Sequence, residues 1–517
     1  MKHSKKLASL LLALVMALSL AVTAFADEST TYSITINNST AGHTYEAYQI
    51  FTGDLATNEA GNKVLSNIVW GSGVSEAGKT ALQDKYDTAE AKSAAGVAEA
   101  LTTANAEQFA KDVASYLTST KVTSTYDESS KSYTISGLDA GYYLVKDQDG
   151  SLIGDNDSYT EYIIQVVGNV TATPKSDVPE VQKKVKDIND STDDAMTGWQ
   201  DSADYDIGDS VPFQLKATLA DNVTSYTTYK VVFHDTLSKG LTYNNDAKVY
   251  IGGTKTDGFT VTSTVNDDGT TTLTVSCDDV KALGAGNSSV ITVEYTATLN
   301  GNAVLGSDGN PNEVYLEYSN NPNKSEEGNN ETGNTPEDTV IVFTYKTVIN
   351  KVNGQGNPLP GAEFTLEKKV LKTPADEEKG TEAVYEWKTI TVVKNKEGTT
   401  FTFSGLDDGN YRLTETVTPA GYNTIAPIEF TVTAEHDVLS DNPALTSLSG
   451  NATTGELTFT SSTTEGSLSA DVVNKAGSVL PSTGGIGTTI FYVLGGILVL
   501  VAVVLLVTKK RMSSAEK

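Results

Sequence analysis

The chain is poor in the residues that staple or catalyse. Cys277 is the only cysteine, so no intramolecular disulfide can form and stability must come from elsewhere. Histidine is nearly as scarce, four in 517 residues. Beyond the N-terminal segment these are His43, His234 and His436, far apart in sequence and without HExxH or CxxC-type spacing. A zinc site or a Ser-His-Asp triad is therefore not expected, and no metal or cofactor is assigned. His234 stands beside Asp235, but neighbours on a strand point to opposite faces. Basic residues are outnumbered, 37 Lys and Arg against 66 Asp and Glu, for a net charge of −29. That balance argues against binding nucleic acid or anionic membrane surfaces and favours a well-solvated exterior.

Long hydrophobic runs are confined to the two ends. Lys2, Lys5 and Lys6 precede an apolar stretch from Leu7 to Ala21, and Ala24-Phe25-Ala26 offers small residues for cleavage. This order marks residues 1–26 as a secretory signal peptide; the short apolar core and the A-x-A end speak against a permanent anchor. At the other end, Thr488 to Val507 carries no charge and is long enough to cross a bilayer as a helix. Lys509, Lys510 and Arg511 would hold the tail on the cytoplasmic side. Just upstream stands Leu480-Pro481-Ser482-Thr483-Gly484. This motif, apolar span and basic tail resemble the LPxTG sorting signal of Gram-positive surface proteins. The resemblance implies a sortase that cuts between Thr483 and Gly484, holds Thr483 as a thioester and passes it to an amine. The bland alternative is a single-pass protein with a chance LPSTG.

Between the ends, Thr, Val, Gly, Asn and Tyr abound, a composition of strands and turns rather than helix bundles. Residues 27–172 open on the alternating strand Tyr32–Ile36, and an Ala-rich stretch from about Ser75 to Leu117 has helical spacing. Residues 173–344 carry "VPFQLKATL", "YKVVFHDTL", "TTLTVSC", "SVITVEYTATL", "EVYLEYS" and "TVIVFTY", the rhythm of a β-sandwich. The stretch "NNPNKSEEGNNETGNTPED" is expected to be a long exposed loop. Residues 345–477 form a third unit, and 478–517 the sorting signal. Gly405-Leu406-Asp407-x-Gly409-x-Tyr411-x-Leu413 echoes Gly137-Leu138-Asp139-x-Gly141-x-Tyr143-Leu144, so the first and third units are expected to be related. The fold class expected is all-β: tandem immunoglobulin-like sandwiches with a helical insertion in the first.

Alternation then exposes an oddity. Lys183 shares a strand face with Val181 and Val185 while Lys184 points out. Asp235 shares one with Phe233 and Leu237, and Asn312 with Val314, Leu316 and Tyr318. The third unit repeats the set: Lys351 with Ile349, Glu415 with Leu413 and Val417, Asn474 with Val472. Lysine is rarely buried without a partner. Intramolecular isopeptide formation explains the triples: burial leaves a neutral amine, while Asp235 or Glu415, kept protonated, polarises the Asn carbonyl and shuttles protons as ammonia leaves. Folding supplies the effective concentration. A buried salt bridge with a hydrogen-bonded Asn is the non-covalent alternative. In the first unit Asp147 aligns with Glu415, yet no lysine occurs between Asp27 and Asn62, so no such bond is expected there.

These residues also carry a family resemblance. "KVNGQGNPLPGAEFTL", "YRLTETVTPAGY" and "VVNK" resemble a CnaB-type domain, with Glu415 in its E-box. "VQKKVKD", "FHDTL" and "NPNEVYLEYSNNP" resemble the fimbrial isopeptide-forming domain, and "EAYQIFTGD" with "LSNIVWGSG" the N-terminal domain of backbone pilins. The chain thus resembles a Gram-positive sortase-assembled major pilin. The resemblance implies isopeptide bonds Lys183–Asn312 and Lys351–Asn474 and a pilin-motif lysine, which "VTATPKSD" places at Lys175, with Thr173 and Ser176 where the family commonly has Tyr and Asn. It implies as partners a sortase, identical subunits, minor tip and base pilins, peptidoglycan and host surface ligands. The precursor would sit transiently in the plasma membrane before joining a wall-anchored surface pilus. A monomeric wall-anchored adhesin, with the same domains as a stalk, is the competing function; conventional enzyme activity is a distant third.

Overall fold

The computed structural model describes residues 31–58, 60–174, 177–326, 328, 330–376, 378–394, 397–477 and 486–513. Side-chain alternation decides most of the architecture. In Ser210–Thr218 the inward set Val211, Phe213, Leu215 and Ala217 is fully buried, and the residues between them face outward. Val290–Leu299 and Asn310–Ser319 keep the same two-residue rhythm. Strands with one apolar face pair as stacked sheets, and three such stacks follow along the chain.

The first stack faces the sheet Thr125–Asp127, Ser132–Leu138, Tyr32–Ile36, Val170–Ala172 against the sheet Lys63–Trp70, Tyr45–Thr57, Gly141–Asp147, Glu161–Val166. Its core joins Ile34, Ile36, Tyr133 and Ile135 to Tyr45, Val145 and Val166. Helices Glu76–Tyr86, Ala94–Ala100 and Ala106–Ala114 pack on the outer face of the second sheet through Leu82, Val97, Phe109 and Val113. Ser75 and Ser93 start two of them by accepting from Gly78 N and Gly96 N, satisfying amides that the helix itself leaves open. The helical insertion read from Ser75 to Leu117 therefore lies where expected.

The middle stack sets Glu180–Val185, Ser210–Thr218, Val290–Leu299 and Lys248–Ile251 against Ser202–Asp204, Asp338–Phe343, Asn310–Ser319, Val231–Leu237, Thr271–Cys277 and Thr260–Val265. The third sets Thr400–Leu406, Tyr345–Asn353, Ser467–Asn474 and Thr460–Ser462 against Val384–Lys394, Glu363–Thr373, Gly409–Val417, Ile428–His436 and Leu445–Ala452. The repeat seen in the sequence is a repeat of topology. In both outer stacks the opening strand runs antiparallel to the strand of the repeat and parallel to the last strand. Gly137 and Gly405 turn at φ 77° and 79°, in the region that favours glycine. After each, a tyrosine hydroxyl donates back to the aspartate carbonyl, Tyr143 to Asp139 at 2.9 Å and Tyr411 to Asp407 at 3.1 Å.

Two expectations need correction. The stretch Asn320 to Asp338 is not simply an exposed loop. Thr332–Asn334 pairs with Asn310–Ser319, and Asn320, Asn321 and Ser325 are buried. The first stack docks here: Asn320 Nδ2 donates to Leu152 O at 2.8 Å, Tyr159 N to Asn320 O at 2.8 Å and Gly154 N to Thr332 O at 2.9 Å. A Gly/Asn/Glu-rich composition hid a segment whose backbone is satisfied by a neighbouring domain. Val417 is exposed rather than inward with Glu415, because a register shift between Glu363 and Phe364 on the partner strand breaks the alternation. Past Gly477 the helix Ile486–Ser513 includes an apolar span, Ile490–Arg511, of mean hydropathy 3.1, long enough to cross a bilayer.

Candidate functional site

In the third stack, Tyr345–Asn353 and Ser467–Asn474 are parallel neighbours, with Lys351 opposite Val472 and Asn353 opposite Asn474. This register lets the lysine chain lean along the strand direction toward Asn474. Lys351 Nζ lies 2.6 Å from Asn474 Oδ1 and 2.9 Å from Val472 O. From the facing sheet, Glu415 accepts from Asn474 Nδ2 through Oε1 at 2.9 Å and Oε2 at 3.0 Å, and Oε1 is 4.0 Å from Lys351 Nζ. Lys351 and Asn474 are fully buried, Glu415 nearly so. Burial pulls the Lys351 amine down to about 8, against the opposing attraction of Glu415, so a sizeable fraction is neutral near physiological pH.

The middle stack reaches a similar contact across its core. Lys183 comes from one sheet; Asp235 and Asn312 come from antiparallel neighbours in the other, with Leu237 opposite Asn312 and Asp235 opposite Val314. All three side chains are fully buried. Lys183 Nζ donates to Asp235 Oδ1, and Lys184, one residue on, faces outward to Asp201. Burial lowers the Lys183 amine and raises the Asp235 carboxyl, each partly offset by attraction to the other. A group absent from the sequence reading completes the cluster. Tyr295 donates to Asp235 Oδ2, accepts from Asn312 Nδ2 at 2.8 Å and lies 3.3 Å from Lys183 Nζ. Its signal was available: in "SVITVEYTATL" it is in phase with Ile291, Val293, Ala297 and Leu299, and a buried phenol needs a polar partner.

The first stack has the acid without the amine. Asp147 is buried and accepts from His43 Nδ1 at 2.7 Å, while His43 Nε2 meets Asp157 at 2.8 Å. Burial alone would lower the imidazole, but the hydrogen bonds to Asp147 and Asp157 outweigh it and hold His43 near 9. His234 faces away from the middle core onto Glu317 at 2.9 Å. His436 lies between the middle and third stacks, where its Nε2 is 3.6 Å from Asp187 and 3.7 Å from Asp204. Nearby, fully buried Lys368 meets Asp190 at 2.6 Å, Asp206 at 2.7 Å, and Asp407. This acidic seam between two domains was not read from the sequence. Lys175, Leu480, Pro481, Thr483 and Gly484, like the signal peptide, lie outside the described residues.

Three segments of the chain match known protein families. Residues 207–322 match the Gram-positive pilin backbone subunit 2, Cna-B-like domain, residues 346–442 a prealbumin-like fold domain, and residues 472–514 the LPXTG cell wall anchor motif. The trypsin-resistant surface T6 protein of Streptococcus pyogenes serotype M6 is 26% identical over 439 residues, 70% of this chain and 74% of that protein. The solved structure of the T6 backbone pilin of serotype M6 S. pyogenes, described as a modular three-domain structure, superposes with TM-score 0.54 at 18% identity, covering 87% of this chain and 100% of that one. The full-length major pilin SpaD of Corynebacterium diphtheriae gives TM-score 0.47 at 18% identity over 88% of this chain and 100% of that one. With a pilin-backbone domain in the middle, a prealbumin-like domain behind it and a wall-anchor motif after that, the chain is similar to the backbone pilins of Gram-positive bacteria.

Proposed function

We propose that this shaft subunit of a wall-anchored surface pilus is a sortase substrate, linked through Thr483 to Lys175 of the next copy. Two self-formed amides, Lys183–Asn312 and Lys351–Asn474, lock it internally, with Asp235 and Glu415 as the acids. The domains are 27–172, 173–344 and 345–477, and only the last two carry an amide. The observation that carries the reading is the 2.6 Å contact of Lys351 Nζ with Asn474 Oδ1, with Glu415 on the same amide. Two charges in a dry core are poorly compensated there, whereas an amide removes them. The role is structural; its only chemistry is on itself. Minor tip and base pilins and host ligands are the partners the shaft would serve. A denaturing gel of cell-wall extracts tests the polymer: a sortase-dependent ladder should collapse to monomer in Lys175→Ala. An undiminished ladder in that variant would move the acceptor elsewhere.

A further inference from the structure

The two lysine–asparagine sites differ in how the acid reaches the amide. Glu415 places both carboxylate oxygens on Asn474 Nδ2, the nitrogen that must leave. Asp235 is one methylene shorter, and its oxygens meet Lys183 and Tyr295, with no hydrogen bond to Asn312 among the described residues. The Asn312 nitrogen instead donates to the Tyr295 hydroxyl at 2.8 Å. Tyr295 thus stands between acid and leaving group, 3.3 Å from the attacking amine. It is fixed there by stacking on Phe213 at 5.5 Å and an edge contact with Tyr243 at 5.6 Å.

We infer that Tyr295 is a catalytic residue of the middle domain, relaying a proton from Asp235 to the departing nitrogen of Asn312. The inference rests on the isopeptide reading of Lys183 and Asn312. The Lys183 ammonium gives one proton to Asp235 and becomes an amine. Its lone pair forms the C–N bond to Asn312 Cγ, and the carbonyl π pair moves to Oδ1. Tyr295 then passes its hydroxyl proton to Nδ2 while taking the acid proton of Asp235. The Oδ1 pair restores the carbonyl, the Cγ–Nδ2 bond breaks, and ammonia leaves. The new nitrogen sheds its second proton to the regenerated Asp235 carboxylate. Amide, ammonia, a neutral phenol and a neutral carboxylic acid remain. Burial and the neighbouring Asp235 hold the phenol well above its ordinary value, so it keeps its proton until the leaving nitrogen turns basic.

The test follows intact mass of the full exported chain over time after synthesis. The parent should lose two ammonias; if it loses none, the isopeptide reading itself falls, not merely this relay. Tyr295→Phe keeps the ring in the core and should lose the middle-domain ammonia more slowly by about a hundredfold or more, the scale of one general acid–base contribution. The third-domain ammonia, whose site lacks the phenol, should leave at the parental rate. A middle-domain rate unchanged from the parent in Tyr295→Phe would overturn the relay. Difluorotyrosine at position 295 covers the case in which the Phe variant folds poorly, since it keeps the hydroxyl and changes only its acidity. A middle-domain rate that follows phenol acidity supports the relay, and a rate indifferent to it overturns it.

Discussion

At the scale of single residues, the decisive feature is an amine shut in a core beside an amide. Alternation showed this for Lys183 against Lys184, because a strand has only two faces and one of them was apolar. Tyr295 was equally in phase, but a tyrosine in a core is ordinary, and only the positions of its three partners give it a role. His43 had no periodic signal at all, since it lies in the turn before Tyr45 rather than on the strand. The unmutated chain should weigh two ammonias less than its sequence mass. Asp235→Ala should restore one and Glu415→Ala the other, read by intact mass spectrometry; a parent at full sequence mass would leave only buried ion pairs. Burial sets the Lys351 amine at about 8, and only the neutral amine attacks. In a chain slowed by Glu415→Gln, which also removes the attraction that holds the amine up, formation of the third-domain bond should quicken as pH rises from 6 and level off at or below about 8. A rate flat across that range would mean that amine deprotonation does not limit the step.

At the scale of strands, register explains why the first domain differs from the third. Ile36 pairs with Tyr133 and Ala172 as Ile349 pairs with Phe401 and Ala470. Two residues on from Ile349 is Lys351; two on from Ile36 is Asn38, whose amide donates to Tyr45. The position equivalent to the Lys351 amine thus holds an amide. The sequence showed the missing lysine and the aligned acid, but not what the acid would do instead. Tryptic mass spectra should accordingly contain no cross-link between a first-domain lysine and an asparagine, and this domain should melt before the other two. Its His43 makes that melting depend on pH in a defined direction. The imidazole is raised from 6.5 to about 9 on folding, so its contribution is complete below about 6.5 and is lost as pH climbs through 9. Between pH 7 and 10 the first-domain transition should fall by roughly 3–8 °C, and by clearly less in His43→Gln. An equal fall in both would assign the pH dependence to other groups.

At the scale of the whole molecule, strand-level reading gave three sandwiches in a row but not how they join. The acids of the junction, Asp190, Asp206 and Asp407, come from loops and carry no periodicity, although Lys368 lies on Glu363–Thr373 in phase with buried Phe364 and Leu366. Lys368 draws Asp190 and Asp206 of the middle domain toward Asp407 of the third, and Ile207 N donates to Gly405 O at 3.0 Å. If polymer links form at Lys175 and Thr483, tension enters before Glu180–Val185 and leaves after Ser467–Asn474, crossing this junction. The first domain hangs outside that path, which fits its non-covalent core. The two proposed amides would then differ in reach. Lys351–Asn474 encloses nearly all of the third domain, whereas Lys183–Asn312 leaves Glu313 to Thr344 outside its loop. That open segment holds most of the central strand Asn310–Ser319 and all of Asp338–Phe343, which is paired to it. Loaded strands outside a covalent loop can peel; those inside cannot extend without breaking an amide. Single-molecule pulling between positions 175 and 483 should therefore release at most the open segment, about 11 nm for ~32 residues at ~3.4 Å each. Asn312→Ala should add the roughly 130 residues of the freed loop, on the order of 40 nm. A full-domain extension in the unmutated chain would mean that the amides are absent or bear no load.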